Sequence, residues 1–214
     1  MERPALIFDL DGTLWDACVP VGEAWTIVGR RYFGEDYLVS AEMAKSQMGR
    51  TMDEIGKNLS YPGLDEDRME AFMKECFDYE VEYLKDHPGA LFEDEIIVLN
   101  SLKKMGFRLF IVSNCQCGYI ENFLPLVEGI FEDYLCFGDT LSPKNVTIRE
   151  LMKKHQLKDA IYIGDTDRDE VATRLAGLRF IHAAYGFGNA NNPDGVVRQF
   201  GEFPIVLSEI CKDF

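Results

Sequence analysis

The sequence predicts an α/β protein with a parallel sheet that is covered by helices on both faces. Short apolar runs alternate with amphipathic segments through the second half of the chain, as in strand–helix–strand units. Several of these runs are apolar throughout, which is typical of strands buried on both faces. A run of the same kind stands near the start of the chain, before a long helical stretch. We therefore expect the first strand to belong to the same sheet, which a helical insertion interrupts once.

The first predicted strand is Ala5–Phe8, and it leads directly into two carboxylates at Asp9 and Asp11. Side chains two residues apart on an extended backbone point the same way, so both acids should flank one small volume. Gly12 then bends the chain into a tight loop. Two acids held together without a neighbouring base require a cation, a shared proton or a phosphate held through a metal.

Residues 16–87 are predicted to be all-helical, with no strand among them. Apolar residues recur at helical spacing in three segments: 21–32, 52–59 and a long one that starts at Asp65. Pro88 and Gly89 then end the last of these helices. We therefore expect an α/β core made of residues 1–15 and 88–214, with a helical cap domain at 16–87.

After residue 88, helices and strands alternate. Helices are predicted at 93–105, 119–127, 145–155, 170–176 and from Pro204 to about 211. Strands are predicted at 107–112, 134–137, 160–163 and 179–183. Together with the first strand they predict a Rossmann-like core, an open parallel sheet that binds ligands beyond the carboxyl ends of its strands.

Composition and charge exclude several classes of partner. The 214 residues are 47% hydrophobic, enough for a packed core, and carry a formal net charge of −15. Such an acidic surface repels nucleic acid and anionic lipid. No apolar stretch approaches the roughly 20 residues needed to cross a bilayer. We therefore expect neither nucleic acid nor a membrane as a partner.

The start of the chain and its six cysteines predict a cytoplasmic protein. Met-Glu-Arg-Pro leads directly into a core strand, with no signal peptide before it. The cysteines are therefore expected to be reduced thiols, most of them small apolar residues of the core. Cys115 and Cys117 lack a second thiolate pair or a histidine cluster at zinc-site spacing, so no metal site is predicted there.

Further polar residues stand where strands of the sheet are expected to end. They are Ser113 and Asn114 after one strand, Lys144 before a helix, and Asp165 and Asp169 after another strand. Because the carboxyl ends of parallel strands share one edge of the sheet, these residues should converge with the two acids of the first loop.

In this order the segments resemble the four motifs of the haloacid dehalogenase superfamily, in its phosphoglycolate phosphatase-like branch with a helical cap after the first motif. The motifs are Asp-x-Asp-Gly-Thr-Leu at 9–14, a strand followed by Ser113, then Lys144, and Gly-Asp-x-x-x-Asp at 164–169. The resemblance spans nearly the whole chain. It implies a phosphatase that depends on Mg²⁺ and hydrolyses a small phosphomonoester metabolite through an aspartyl-phosphate intermediate.

The resemblance also implies the catalytic residues. Asp9 is the expected nucleophile, and Asp11 is the expected general acid and then general base. Ser113 is expected to hold phosphoryl oxygens. Lys144 is expected to neutralise Asp9 and the charge that develops during transfer.

Binding residues are implied in the same way. Mg²⁺ is expected at Asp9, the backbone carbonyl of Asp11, Asp165 and, directly or through water, Asp169. The expected substrate-binding residues are Thr13, Arg50 and Asn114. Arg50 stands in a Gly49-Arg50-Thr51 segment between two cap helices, where it either pairs with a distal anionic group of the substrate or is a surface charge.

Several activities are compatible with the resemblance. An acid at Asp11 argues against dehalogenation, because relatives that attack carbon lack it. Mutase relatives often carry a hinge histidine shortly after the first motif, and residues 15–32 contain none. An inorganic pyrophosphatase, a sugar-phosphate mutase and a non-catalytic protein that binds phosphorylated ligands are kept as alternatives. The sequence predicts no oligomeric state.

Overall fold

A computed structural model describes residues 3–50, 52–59 and 63–211, without the side chains of residues 52 and 53. Its strands are β1 (Ala5–Phe8), β2 (Trp15–Asp16), β3 (Ala90–Leu91), β4 (Leu109–Ser113), β5 (Asp133–Cys136), β6 (Ala160–Gly164), β7 (Arg179–Ala183) and β8 (Gly195–Val197). Its α-helices are α1 (Cys18–Phe33), α2 (Ala41–Lys45), α3 (Met52–Leu59), α4 (Glu66–Asp86), α5 (Glu95–Lys104), α6 (Tyr119–Phe123), α7 (Phe137–Thr140), α8 (Lys144–Lys154), α9 (Asp167–Ala176) and α10 (Phe203–Ile210). Among the described residues, no helix combines the length and the apolar character that crossing a bilayer requires.

The large sheet is parallel, and β1 lies in its middle. The strands run in the order β5-β4-β1-β6-β7-β8. Phe8, the last residue of β1, is paired with Ile111 of β4 and Ile163 of β6. The segments that follow these three strands therefore leave the sheet at one edge. The predicted α/β fold with a parallel sheet is confirmed.

Alternate residues of β1 pack on opposite faces of the sheet. Leu6 and Phe8 belong to an apolar cluster that extends to residues of α1 and α4, whereas Ala5 and Ile7 belong to a second cluster on the other face. All four side chains are buried. The unbroken apolar run in the sequence thus reflects burial on both faces, which needs no alternation with polar residues.

A helical region made of α1 to α4 separates β2 from β3. These two strands pair antiparallel, with Trp15 opposite Leu91 and Asp16 opposite Ala90. The prediction that residues 16–87 contain no strand is therefore wrong at Asp16. Its strand partner lies on the far side of the insertion, so no local pattern could predict the pairing. The domain boundaries of 1–15 and 88–214 for the core and 16–87 for the cap stay predictions.

Besides β2 and β3, the short elements α2, α7 and β8 were not predicted. Each has five residues or fewer, too short for a periodic pattern to be visible. Helix α9 also begins earlier than the expected residue 170. Thr166 caps it, because Thr166 Oγ1 accepts a hydrogen bond from the Asp169 amide (3.2 Å) and Asp169 Oδ2 accepts one from the Thr166 amide (3.1 Å). This capping box starts the helix at Asp167.

Candidate active site

The loop after β1 places Asp9 and Asp11 at the carboxyl edge of the sheet. The Asp9 amide donates to the Ile163 carbonyl (2.8 Å), so Asp9 continues the pairing of β1 with β6. Gly12 has a φ of 76°, and a Cβ at this position would lie 2.4 Å from Asp165 Oδ2. The turn therefore requires glycine both for its backbone conformation and for the close approach of Asp165.

Two aromatic side chains hold Asp11. Trp15 Nε1 (3.0 Å) and Tyr119 OH (2.8 Å) both donate to Asp11 Oδ1. Burial raises the pKa of Asp11 to about 6, although both hydrogen bonds favour the charged form. A carboxyl group with a pKa in this range can give up and take back a proton near neutral pH, as a general acid and base must.

Lys144, at the start of α8, joins two buried acids. Its Nζ donates to Asp9 Oδ1 (2.9 Å) and to Asp169 Oδ1 (2.6 Å), and all three side chains are buried. Burial alone would lower the pKa of Lys144, but the charges of Asp169 and Asp9 outweigh it and hold the pKa well above its usual value. Lys144 is therefore a permanent positive charge beside Asp9.

Asp9, Asp165 and Asp169 form a group of buried acids. One carboxylate oxygen from each lies within 4.8 Å of the other two. The Phe187 amide donates to Asp165 Oδ2 (2.7 Å), whereas Asp165 Oδ1 is buried without a hydrogen-bond partner in the described part of the chain. Buried oxygens normally have partners, so three acids with one lysine and an orphaned oxygen fit a bound divalent cation.

The pKa values of these acids are consistent with such a cation. Burial raises the pKa of Asp9 well above its usual value, against the attraction of Lys144. Burial, reinforced by repulsion from Asp169, raises the pKa of Asp165 to about 7. The cost of keeping these groups charged falls when a positive ion binds among them.

Three other predicted residues belong to the ends of the strands or to the loops that follow them. Ser113 is the last residue of β4 and is buried. Thr13 is fully buried, and its Oγ1 has no hydrogen-bond partner within the described ranges. Asn114 Nδ2 donates to the Gly49 carbonyl (3.0 Å), so Asn114 links the core to the helical region.

A cavity lies between the loops that follow β1 and β4 and the helical region. The space in it for water-sized molecules is about 30 Å³. Arg50 borders the cavity and donates from Nε to the Ser46 carbonyl (3.0 Å), while the adjacent Thr51 lies outside the described residues. The wall includes Asp11, Ser113 and Asn114 from the core, and Trp25, Arg50 and Glu80 from the helical region. The space beside Asp11 therefore admits a polar group about the size of a water molecule.

Sequence reasoning missed several residues of this site. Trp15 and Tyr119 hold Asp11, the Phe187 amide holds Asp165, and Glu80 of α4 forms part of the cavity wall. Trp15 follows Asp11 by four residues, but nothing local separates it from an ordinary core tryptophan. Glu80 and Tyr119 lie at least 69 residues from Asp11 along the chain, and Phe187 lies 22 residues from Asp165. Only the fold reveals these contacts.

A second group of possible metal ligands contains Cys117, Cys136 and Asp139, whose ligand atoms lie within 4.8 Å of one another. The linear spacing of the cysteines did not indicate this group, because Cys136 comes from the neighbouring strand β5. Asp139 already caps a helix there, since its Oδ2 accepts a hydrogen bond from the Cys136 amide (2.8 Å) at the start of α7. Helix capping thus explains the position of Asp139 without a metal.

The fold and the site define a class of α/β enzymes with a helical insertion above an acid-rich edge of the sheet. Residues 6–183 match the family model described as haloacid dehalogenase-like hydrolase. Because this match covers most of the chain, the protein belongs to that family and is a hydrolase. The resemblance noted from the motifs is confirmed.

Relatives and solved structures agree with this assignment. A phosphoglycolate phosphatase of Aquifex aeolicus is 26% identical over 194 residues, which cover 87% of each protein. Another, from Photobacterium profundum, is 28% identical over an alignment of 223 positions that covers 96% of each protein. A crystal structure of a predicted phosphoglycolate phosphatase from Haemophilus somnus 129pt superposes with a TM-score of 0.84 at 20% identity, over 96% of this chain and 98% of the other. That last likeness concerns the fold.

Proposed function

We propose that the protein hydrolyses the phosphomonoester of a small metabolite, with Mg²⁺, through an aspartyl-phosphate intermediate. The observation that carries this proposal is the 2.9 Å contact of Lys144 Nζ with Asp9 Oδ1, beside the orphaned oxygen of Asp165. A carboxylate can approach a phosphate only where positive charge offsets their repulsion. Family membership and the phosphatase names of the relatives support the same reaction class.

Asp9 acts as the nucleophile in this proposal. One of its carboxylate oxygens forms a bond to phosphorus while the ester P–O bond breaks, and Asp11 gives its proton to the leaving oxygen. Asp11 is then a carboxylate and takes a proton from the water that attacks phosphorus. The bond to Asp9 breaks, and inorganic phosphate leaves. The pKa of Asp11, which burial raises to about 6, suits both transfers.

Mg²⁺ would be held by the carboxylates of Asp9 and Asp165 and by the backbone carbonyl of Asp11. Mg²⁺ prefers carboxylate, water and phosphate oxygens, and when bound it neutralises part of the phosphate charge. Asp169 would support this set directly or through water. Asp169 also positions Lys144, because it accepts from Lys144 Nζ and, through its other oxygen, from Thr166 Oγ1 (2.6 Å).

The remaining contacts to the substrate would come from Ser113, Thr13, Asn114 and Arg50. Ser113 and Thr13 are buried, and their hydroxyl groups can donate to phosphoryl oxygens. Arg50 either pairs with a distal anionic group through its guanidinium or is a surface charge. Residues 16–87 would act as a cap that excludes water during transfer. The cytoplasmic location stays a prediction.

The test is hydrolysis of p-nitrophenyl phosphate by the purified protein, with Mg²⁺ and with EDTA in its place. We expect turnover with Mg²⁺ and none with EDTA. With radiolabelled substrate, acid quenching should trap a phosphoprotein that hydroxylamine cleaves, as an acyl phosphate must be cleaved. Turnover that persists in EDTA would contradict the metal requirement.

A substrate panel tests the alternative activities. It contains phosphoglycolate, sugar phosphates, nucleotides and pyrophosphate. Preference for pyrophosphate would identify a pyrophosphatase, and conversion of one sugar phosphate into an isomer would identify a mutase. A protein that binds these phosphates with Mg²⁺ but turns over none would be a binding protein.

A further inference from the structure

Glu80 is a buried acid to which the proposed reaction gives no role. It lies on α4 with only 3% of its surface exposed, in the wall of the cavity that also borders Asp11 and Ser113. Removing a carboxyl group from water is costly unless charged or hydrogen-bonding partners replace the water. The hydrogen-bond partners of Glu80 therefore indicate the role of this buried acid.

Neutral donors surround this carboxyl group. Trp25 Nε1 donates to Glu80 Oε2, and Gln116 Nε2 donates to Glu80 Oε1 (3.1 Å). Among the described residues no lysine or arginine forms an ion pair with it. A carboxyl group has about four hydrogen-bonding positions, so roughly half of those of Glu80 have no partner in the described part of the chain. The cavity is where a further partner can approach.

The charge around the cavity selects the kind of partner. Asp11 lies in the same wall and disfavours the charged form of Glu80. Arg50 also borders the cavity, and its Nε donates to the Ser46 carbonyl. A carboxylate of the substrate beside Glu80 would share the cavity with two acids, and the charged form of each would disfavour the charged forms of the others. A hydroxyl or ammonium group would instead supply the donor that Glu80 can accept.

A purely structural role for Glu80 does not explain why an ionisable group is buried at this position. The bond from Gln116 to Glu80 links the core to α4, and a link of this kind needs only neutral groups. A glutamine at position 80 could accept from Trp25 without the cost of burying an ionisable group. The acid in the wall of the cavity therefore serves recognition in addition to packing.

We propose that Glu80 forms a subsite for a hydrogen-bond donor, a hydroxyl or ammonium group, on the alcohol portion of the phosphate ester. It follows that the protein discriminates against esters with a carboxylate at that position, phosphoglycolate included. This inference rests on the proposed phosphatase function and specifies its substrate class.

Four esters of similar size test the subsite, because they differ in one end group. They are hydroxyethyl phosphate, phosphoethanolamine, propyl phosphate and phosphoglycolate. For the wild type we expect kcat/KM to be higher by roughly 10- to 100-fold for the hydroxyl or ammonium ester than for phosphoglycolate, the size of effect that a buried hydrogen-bonding site produces. The two donor esters, compared with each other, show whether the subsite prefers a hydroxyl or an ammonium group.

Glu80→Gln should reduce that ratio by at least about tenfold, chiefly by slowing the donor esters, while propyl phosphate changes little. Glu80→Asp, which keeps the acid on a shorter side chain, should retain part of the preference. Glu82→Gln on the exposed face of the same helix is the matched control and should leave the ratio unchanged. A wild type that prefers phosphoglycolate, or a Glu80→Gln variant that slows all four esters equally, would overturn the proposal.

A binding measurement separates this inference from the proposed function. The shift in melting temperature with each ester and Mg²⁺ reports binding whether or not the ester is hydrolysed. If no phosphate is hydrolysed but the donor esters still bind best, the phosphatase proposal fails and the subsite stands. If hydrolysis occurs without any preference among the esters in rate or binding, the subsite fails and the phosphatase proposal stands.

Discussion

Buried acids lie both at the carboxyl edge of the sheet and in the cavity wall that the helical region forms, which we call the helical wall. The two regions stabilise these acids differently. At the sheet edge, Asp9 and Asp169 share the positive charge of Lys144, and Asp165 has a buried oxygen without a partner among the described residues. In the helical wall, Glu80 is held by the neutral donors Trp25 and Gln116. A lysine offsets part of the charge of its partner acids, whereas neutral donors supply hydrogen bonds but no opposite charge.

This difference separates chemistry from recognition. A nucleophilic carboxylate must be charged when phosphate arrives, so it needs a permanent cation next to it. A recognition group needs only a partner of matching hydrogen-bonding type, and it can be neutral before the ligand binds. Four substitutions test how far this comparison holds.

Asp9→Asn should have the largest effect. The amide keeps the size of the side chain but cannot attack phosphorus, so turnover of p-nitrophenyl phosphate with Mg²⁺ should fall by roughly 10³-fold or more. Initial rates at saturating substrate measure it. Asp167→Asn is the matched control, since Asp167 is an exposed acid near the same edge, and it should keep wild-type turnover. Robust turnover by Asp9→Asn would remove Asp9 as the nucleophile.

Lys144→Met should impair both activity and folding. It keeps the length and apolar stem of the side chain but leaves Asp9 and Asp169 without their shared cation. Breaking a buried ion pair in this way costs about 3–5 kcal/mol, so the free energy of unfolding in EDTA should drop by that order. Urea denaturation measures the change, and the exposed Lys153→Met serves as the control. An unchanged free energy of unfolding would mean that the lysine does not stabilise these acids.

Glu80→Gln should alter the pH dependence of stability. Burial raises the pKa of Glu80 to about 8, above the value near 4.5 of a free glutamate. Between these two values the folded state binds the proton more tightly than the unfolded state, so wild-type stability falls as pH rises and stays low above the folded pKa. The variant lacks this contribution. Its free energy of unfolding should therefore rise relative to that of the wild type, by up to about 1.4 kcal/mol for each pH unit in that range.

Urea titrations from about pH 5 to about pH 9 measure this difference, and Glu82→Gln should run parallel to the wild type. A difference between Glu80→Gln and wild type that is constant over the whole range would show that Glu80 keeps an ordinary pKa. Neutral donors would then hold a charged acid without a cation, and the contrast between the two regions would fail.

Arg168→Ala should have the smallest effect. Arg168 of α9 forms an ion pair with Glu54 of α3 (2.6 Å) between the two regions, but both side chains are about 40% exposed. Exposed pairs contribute little, so the free energy of unfolding should change by less than about 1 kcal/mol. The change should shrink further in about 1 M salt, where such interactions are screened. A larger, salt-resistant loss would mean that this contact holds the two regions together.

Much of the sheet edge could be predicted from the sequence because the signals are local. The apolar run Ala5–Phe8 predicts a buried strand, and the acids after it must lie where that strand ends. Ser113 and Asp165 follow strands in the same way. Parallel pairing then brings such ends together, since Phe8 is in register with Ile111 and Ile163. Local periodicity and the rules of parallel sheets were sufficient for this part.

The opposite wall could not be predicted, because its contacts join distant segments. Glu80 meets Gln116 across 36 residues and Trp25 across 55, and no periodic pattern shows which face of α4 will turn toward the sheet edge. Tyr119 reaches Asp11 across 108 residues for the same reason. The strand pairing of Asp16 with Ala90 was missed because the whole helical region lies between the two.

The sequence by itself determined the fold class, the family and the acids at the ends of the strands, because each follows from residues close together in the chain. Only the tertiary structure decided that Lys144 would also bind Asp169, that two aromatic side chains would hold Asp11, and that neutral donors would hold Glu80. Charge compensation inside a protein depends on distances of a few ångströms between distant segments, and packing alone sets those distances.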